Sequence, residues 1–177
     1  MLIPVFLSCP SDWSTAQGRA RKRIIAELDR AGLEWRSLGK SDYPTTYPLR
    51  EVFVIAKHCS GGVILGFSQF EVSGGIWRRG SKTERRQRGK LTFPTPWNQL
   101  EAGILFSRGL PHLVFCENGV KGGIFDHGVT DVFIHPMPVG KMSKLQTDGV
   151  REVILKWSAK VRQHYYGEPN QVSGQSP

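Results

Sequence analysis

Glu101 is the residue of this chain best placed to do chemistry. It lies in Thr95-Pro96-Trp97-Asn98-Gln99-Leu100-Glu101-Ala102-Gly103, where a threonine able to cap precedes a proline at a first helical position. The proline ring pre-sets φ, and its missing N–H would have been unpaired there in any case. Glu101 therefore falls about one turn into a helix, on a face that Trp97, Leu100, Ile104 and Leu105 share or flank. A carboxylate in that setting is either solvated at the edge of the apolar face or held in a pocket for chemistry.

The elements that must position it alternate between strand and helix. Ile3–Ser8 reads as a buried first strand, and Ser14-Thr15-Ala16-Gln17 has the form of a capping box opening a basic amphipathic helix that stops at Gly32. Leu33–Leu38 reads as a strand near a sheet edge, and Pro48 opens a second helix running to about Cys59. Gly62–Phe67 is the clearest central strand. Ser68–Phe93 shows no strong period and is expected to be a long functional or disordered loop. The helix Thr95–Arg108, a strand at Leu113–Cys116, a glycine-rich loop around a short helix, a strand at Asp131–His135 and a helix at Met142–Tyr166 complete the order. Such alternation predicts an α/β fold, a single-domain, flavodoxin-like, doubly wound parallel five-stranded sheet with helices on both faces. The domain is expected over residues 1–166, with a basic loop insertion at about 68–94 and a flexible tail at 167–177.

Composition narrows the classes. With 177 residues and 39% hydrophobic content, the chain suits one well-buried domain and is too short for two ordinary ones. It has no run of roughly 18 apolar residues, so no membrane span is expected, and the first residues lack the basic and apolar regions of a signal peptide. Three cysteines, Cys9, Cys59 and Cys116, form no CxxC and no metal-like cluster with the five histidines. No metal site is expected, and a cytoplasmic location fits an odd cysteine count. Of the formal net charge of +9, +6 comes from Arg78–Lys90. Its cations Arg78, Arg79, Lys82, Arg85, Arg86, Arg88 and Lys90 form either a solvated insertion or a contact for phosphate or nucleic acid.

In doubly wound sheets ligands sit outside the carboxyl ends of the strands, where strand order reverses. This brings together Ser8–Trp13, Phe67–Gln69 and the start of the Pro96 helix. Three segments, Val5-Phe6-Leu7-Ser8-Cys9-Pro10-Ser11-Asp12, Gly62-Val63-Ile64-Leu65-Gly66-Phe67 and Trp97-Asn98-Gln99-Leu100-Glu101-Ala102-Gly103-Ile104, the last followed by Gly109-Leu110-Pro111, resemble the TIR-like and nucleoside 2-deoxyribosyltransferase-like superfamily. The resemblance covers about the first 115 residues in order, by the coarse matching that sequence patterns allow. The long insertion at Ser68–Phe93 and the Cys9-Pro10 pair depart from the family pattern.

The resemblance implies cleavage or transfer at an N-glycosidic bond, in NAD or in a nucleoside or nucleotide, with Glu101 as the catalytic carboxylate. Positive charge develops at C1′ of the ribose as the base departs, and a carboxylate there stabilises it electrostatically or forms a covalent intermediate. On this reading Ser8, Cys9, Pro10, Ser11, Asp12, Phe67, Trp97 and Asn98 bind the substrate. Trp97 would stack on a base and Asn98 would bond ribose hydroxyls. Ser8, Ser11 and the amides entering the Ser14 helix would hold a phosphate. Asp12 would take a ribose hydroxyl or serve as a loop cap. Plainer roles stand beside these: Trp97 and Phe67 as core, Asn98 as helix cap, Ser11 and Asp12 as turn formers. His127 and His135 are weak acid–base candidates, and Cys9 has no histidine to make it a nucleophile. No cofactor is required, NAD being a possible substrate, and the resemblance implies a homo-oligomer whose neighbouring subunit completes the site.

Overall fold

Parallel pairing of five short strands sets the frame of the molecule. The computed structural model describes residues 2–39, 41–42 and 47–167. In chain order the elements are β1 (Ile3–Ser8), α1 (Thr15–Arg30), β2 (Leu33–Arg36), α2 (Pro48–Lys57), β3 (Gly62–Gly66), β4 (Phe70–Trp77), β5 (Arg85–Phe93), α3 (Pro96–Ser107), β6 (His112–Cys116), a 3₁₀ turn at Gly123–Phe125, β7 (Ile134–Pro136) and α4 (Lys144–Gly167). Strands β2, β1, β3, β6 and β7 lie side by side in that order, all parallel. The doubly wound α/β sheet read from the alternation of elements is therefore present, with β3 at its centre and β2 at an edge. Gly167, expected to open the tail, is the last residue of α4, and the rest of the expected tail lies outside the described residues.

Two cores, one on each face, hold the helices to the sheet. Val5, Leu7, Val63, Leu65 and Phe115 point to one side and pack with Ile24 and Leu28 of α1 and Ile154, Trp157 and Val161 of α4. Phe6, Ile64 and Val114 point to the other, against Val52 and Ile55 of α2 and Ala102 and Leu105 of α3. This is the period-two alternation of a strand buried on both faces. Close approach of α3 depends on Gly62, because a Cβ there would stand 2.5 Å from Cδ1 of Leu105. Across the helix layer on the other face, Glu27 of α1 binds Arg151 of α4 at 3.1 Å.

Local signals placed the helix starts. Ser14 and Gln17 form the reciprocal capping box, Gln17 N–H donating to the Ser14 hydroxyl at 3.3 Å and Ser14 N–H to the Gln17 side chain at 2.9 Å. Thr95 caps α3 from a β conformation, with Pro96 in the first turn.

Two expectations need correction. The insertion at 68–94 is not an unstructured loop: β4 and β5 pair antiparallel from Phe70↔Phe93 to Trp77↔Arg85 as a separate two-stranded ribbon. Its period was invisible because most of its residues are exposed, and a register shift between Val72 and Gly74 interrupts the alternation. The last strand is Ile134–Pro136 rather than Asp131–His135. It is a three-residue edge strand whose limits are set by pairing with Val114–Cys116, which a local pattern does not record.

Candidate functional site at the carboxyl edge of the sheet

The order β2-β1-β3-β6-β7 reverses between β1 and β3, which is where a doubly wound sheet opens a crevice at its carboxyl edge. Ser8 ends β1, Gly66 ends β3, and the connection from β3 passes through the ribbon into the first turn of α3. The crossover returns α3 against β1 and β3, bringing its first turn and a half beside Ser8.

A chain of hydrogen bonds links the two segments. The Thr95 hydroxyl donates to Asn98 Oδ1 at 3.1 Å, and Asn98 Nδ2 donates to Ser8 Oγ at 2.8 Å. The same Ser8 hydroxyl acts on the Glu101 carboxyl, whose pKa it pulls down. Asn98 and Ser8 are buried, Ser8 completely, so the low dielectric strengthens each bond and makes its loss costly.

Glu101 itself is 9% exposed. Burial disfavours its anion and pushes the carboxyl up to about 7, against a smaller downward pull from the Ser8 hydrogen bond. Among the described residues no Lys, Arg or His forms an ion pair with it. Glu101 is therefore buried and not solvated at the edge of the apolar face. The cause differs from the helical face alone, since Trp97 and Leu100 are 42% and 47% exposed. Water is kept from Glu101 by the packing of α3 onto the sheet.

The other expected residues divide into three groups. Ser8 and Asn98 bond each other and expose no more than 1% of their surface, so neither is open to a ligand. Asn98 was read as a ribose ligand, yet its carbonyl and one amide N–H already serve Thr95 and Ser8. Ser11, Asp12 and Trp97 are exposed, Cys9 is half-buried, and Pro10 is buried. Phe67 has no exposed surface and belongs to the core on the α1 and α4 side, the packing alternative rather than a pocket wall. His127 is exposed, while His135 stands between the rings of Phe115 and Phe133, with burial pulling its pKa down.

Sequence reasoning missed a second polar cluster beside the site. Glu117, the residue after β6, accepts hydrogen bonds from Gln17 Nε2 at 2.8 Å and from the Ser68 N–H at 2.9 Å. Gln17 Nε2 also donates to the Ser68 carbonyl at 3.1 Å. The loops that follow β1, β3 and β6 are thus tied together by the same glutamine that caps α1. Its position directly after a central strand was the one available signal for Glu117. Thr95 was likewise read only as a cap, although its hydroxyl also orients Asn98.

An apolar cavity of about 180 Å³ lies along the neighbouring face of α3, with Ala102, Gly103 and Phe106 on one wall and Val129, Thr130 and Val132 on another. Glu101 is not part of its lining. Burial pushes the Cys59 thiol up to about 12 and the Cys116 thiol up to about 11, so neither is a thiolate nucleophile near neutral pH. Among the described residues no helix is long and apolar enough to cross a membrane. Comparison with known proteins finds no matching family, no matching curated protein and no matching solved structure.

Proposed function

We propose that the chain cleaves or transfers at the N-glycosidic bond of NAD or of a nucleoside or nucleotide, with Glu101 as the group that faces C1′ of the ribose. The observation that carries this reading is a buried carboxylate that forms no ion pair among the described residues, near Ser8 at the point where strand order reverses. The resemblance of the segments around Ser8, Gly62 and Glu101 to the TIR-like and nucleoside 2-deoxyribosyltransferase-like superfamily supports the same chemistry.

The residues present suit each step. As the C1′–N bond breaks, its electron pair leaves with the base and positive charge spreads over C1′ and the ring oxygen. An anionic Glu101 stabilises that charge, or bonds to C1′ to give a glycosyl ester. Water or a second base then attacks C1′, breaking the C1′–O bond of the ester where one has formed, and the proton shed by the acceptor passes to the carboxylate and from it to the departed base or to solvent. A proton affinity near neutrality suits that exchange. Because so little of Glu101 is exposed, a ribose reaches it only by displacing part of its covering. Ser11, Asp12 and Trp97, exposed on the adjoining loop and first helical turn, are the side chains available to meet a substrate.

Incubation of the purified protein with NAD, deoxynucleosides and mononucleotides, followed by chromatography, tests the proposal. The expected result is release of nicotinamide or a free base, abolished in Glu101→Gln. Undiminished release by that variant overturns the assignment. The assay is best run at high protein concentration, because the resemblance implies a homo-oligomeric active form. The slight exposure of Glu101 favours one competing reading, a nucleotide sensor that binds without turnover. Calorimetric binding with the ligand recovered unchanged identifies it. A reducing, cytoplasmic setting suits the three cysteines, none of which is in a disulfide.

A further inference from the structure

The ribbon formed by β4 and β5 carries most of the excess charge of the chain and takes no part in holding Glu101. Its cations are Arg78, Arg79 and Lys82 at the tip and Arg85, Arg86, Arg88 and Lys90 on β5, all exposed. Lys90 pairs with Glu71 on the opposite strand. Among the described residues, none of the other six forms an ion pair with a carboxylate. Glu84, the single acid of the run, accepts a hydrogen bond from the Gly80 N–H at 2.8 Å and so closes the tip turn. The tip is ordered further by Ser81 N–H to the Arg78 carbonyl and Glu84 N–H to the Ser81 carbonyl, both at 3.0 Å.

Register distributes the charge over both faces. Arg85 stands opposite Trp77 on one face, while Arg86 opposite Ile76 and Arg88 opposite Gly74 share the other. Arg86 and Arg88 are two residues apart, about 7 Å along the strand, on the scale of the spacing of phosphates on a duplex, which carries one per about 3.4 Å of helix axis on each strand. Gly74, opposite Arg88, and Gly75, opposite Gln87, leave the middle of β4 without side chains, so Arg88 is not crowded from across the ribbon. The root is fixed, with Gln69 N–H bonding the Phe93 carbonyl at 2.9 Å, Lys121 N–H bonding the Thr92 carbonyl at 3.2 Å, and Ser68 clamped by Glu117. A stiff arm with a basic distal half is the result.

We propose that this ribbon binds duplex DNA through its phosphates, entering the major groove and using the cations of its two faces on the two walls. A two-stranded ribbon fits that groove, and five of the seven cations are arginines, whose planar forks match phosphate oxygens. The tip residues Arg78–Glu84 include no apolar side chain, which disfavours insertion into a lipid surface. Only one aromatic, Trp77, lies in the distal half, too few for the stacking platform that single strands require. This inference does not depend on the role of Glu101.

Fluorescence anisotropy of the full chain with a labelled mixed-sequence duplex of about 20 base pairs, over a salt series, tests it. With six phosphate contacts, affinity falls about 1,000-fold between about 50 and 200 mM salt. Replacing Arg85, Arg86 and Arg88 together by Ala lowers the magnitude of the log–log salt slope by about 2.7. Replacing the same three by Lys keeps the slope, and Glu101→Gln binds the duplex as the unaltered chain does. Any of four results overturns the proposal: no duplex binding at low salt, a slope unchanged in the triple Ala variant, stronger competition by the single strand than by the duplex, or co-sedimentation with phosphatidylserine vesicles without duplex binding.

Discussion

Asn98 Nδ2 donates to Ser8 Oγ at 2.8 Å across 90 residues of sequence, joining the first turn of α3 to the end of β1. A serine hydroxyl has one hydrogen and two lone pairs. With Asn98 on one lone pair the hydroxyl keeps its hydrogen to offer, and Ser8 pulls the Glu101 carboxyl down. The candidate site is therefore a relay from Thr95 through Asn98 and Ser8 to Glu101, and each link can be cut separately.

Glu101→Gln is expected to stabilise the protein at neutral and alkaline pH while abolishing glycosidic cleavage. The folded chain holds the Glu101 proton more tightly than the unfolded one, about 7 against an ordinary 4.5. Stability from this group is therefore full below about 4.5 and is lost as pH rises through about 7. The cost of the anion amounts to on the order of 3 kcal/mol at about pH 8. Thermal melts of the two proteins at about pH 4 and pH 8 check this: the variant should gain only at the higher pH.

Catalysis should show the opposite dependence. The anion is the form that meets positive charge at C1′, so kcat/KM for the cleaved substrate should rise with pH through about 7 and then level. Ser8→Ala removes the hydrogen bond that holds the carboxyl down, and the midpoint should move upward. A midpoint below about 5 in the unaltered chain would show that Glu101 is not the titrating group.

Asn98→Ala should destabilise by about 1–3 kcal/mol, because it removes the donor to the fully buried Ser8 hydroxyl. Urea unfolding measures the loss. Asn98→Asp is a sharper probe, since it sets a second carboxyl beside Ser8 and should raise the Glu101 midpoint further.

Glu117→Ala should loosen the root of the ribbon without touching the sheet. It removes the acceptor shared by Gln17 Nε2 and the Ser68 N–H, for an expected loss of about 1–3 kcal/mol. Faster amide exchange at Ser68, with β3 amides still protected, is the local signature.

Gly62→Ala should cost about 1–3 kcal/mol by overpacking. The new methyl would meet Leu105, a fully buried side chain of α3. The helix that carries Glu101 must then shift, so activity should fall with stability, as paired melts and assays would show.

The sequence alone determined what depends on neighbours in the chain. The Ser14–Gln17 capping box, the Thr95-Pro96 helix start and the apolar Gly62–Phe67 run are local devices, and each appears where its residues put it. Alternation of such elements sufficed for a parallel doubly wound sheet, because right-handed crossovers leave few other arrangements. The ribbon was not legible, since a hairpin with both faces largely exposed carries no hydrophobic period. Nor was the state of Glu101. Its helical neighbours Trp97 and Leu100 do not cover it, and its burial comes from packing against a strand about 90 residues earlier in the sequence. Desolvation and the Ser8–Asn98 bond arise only when α3 meets β1, so tertiary structure turned an ambiguous glutamate into a carboxyl that titrates near neutrality.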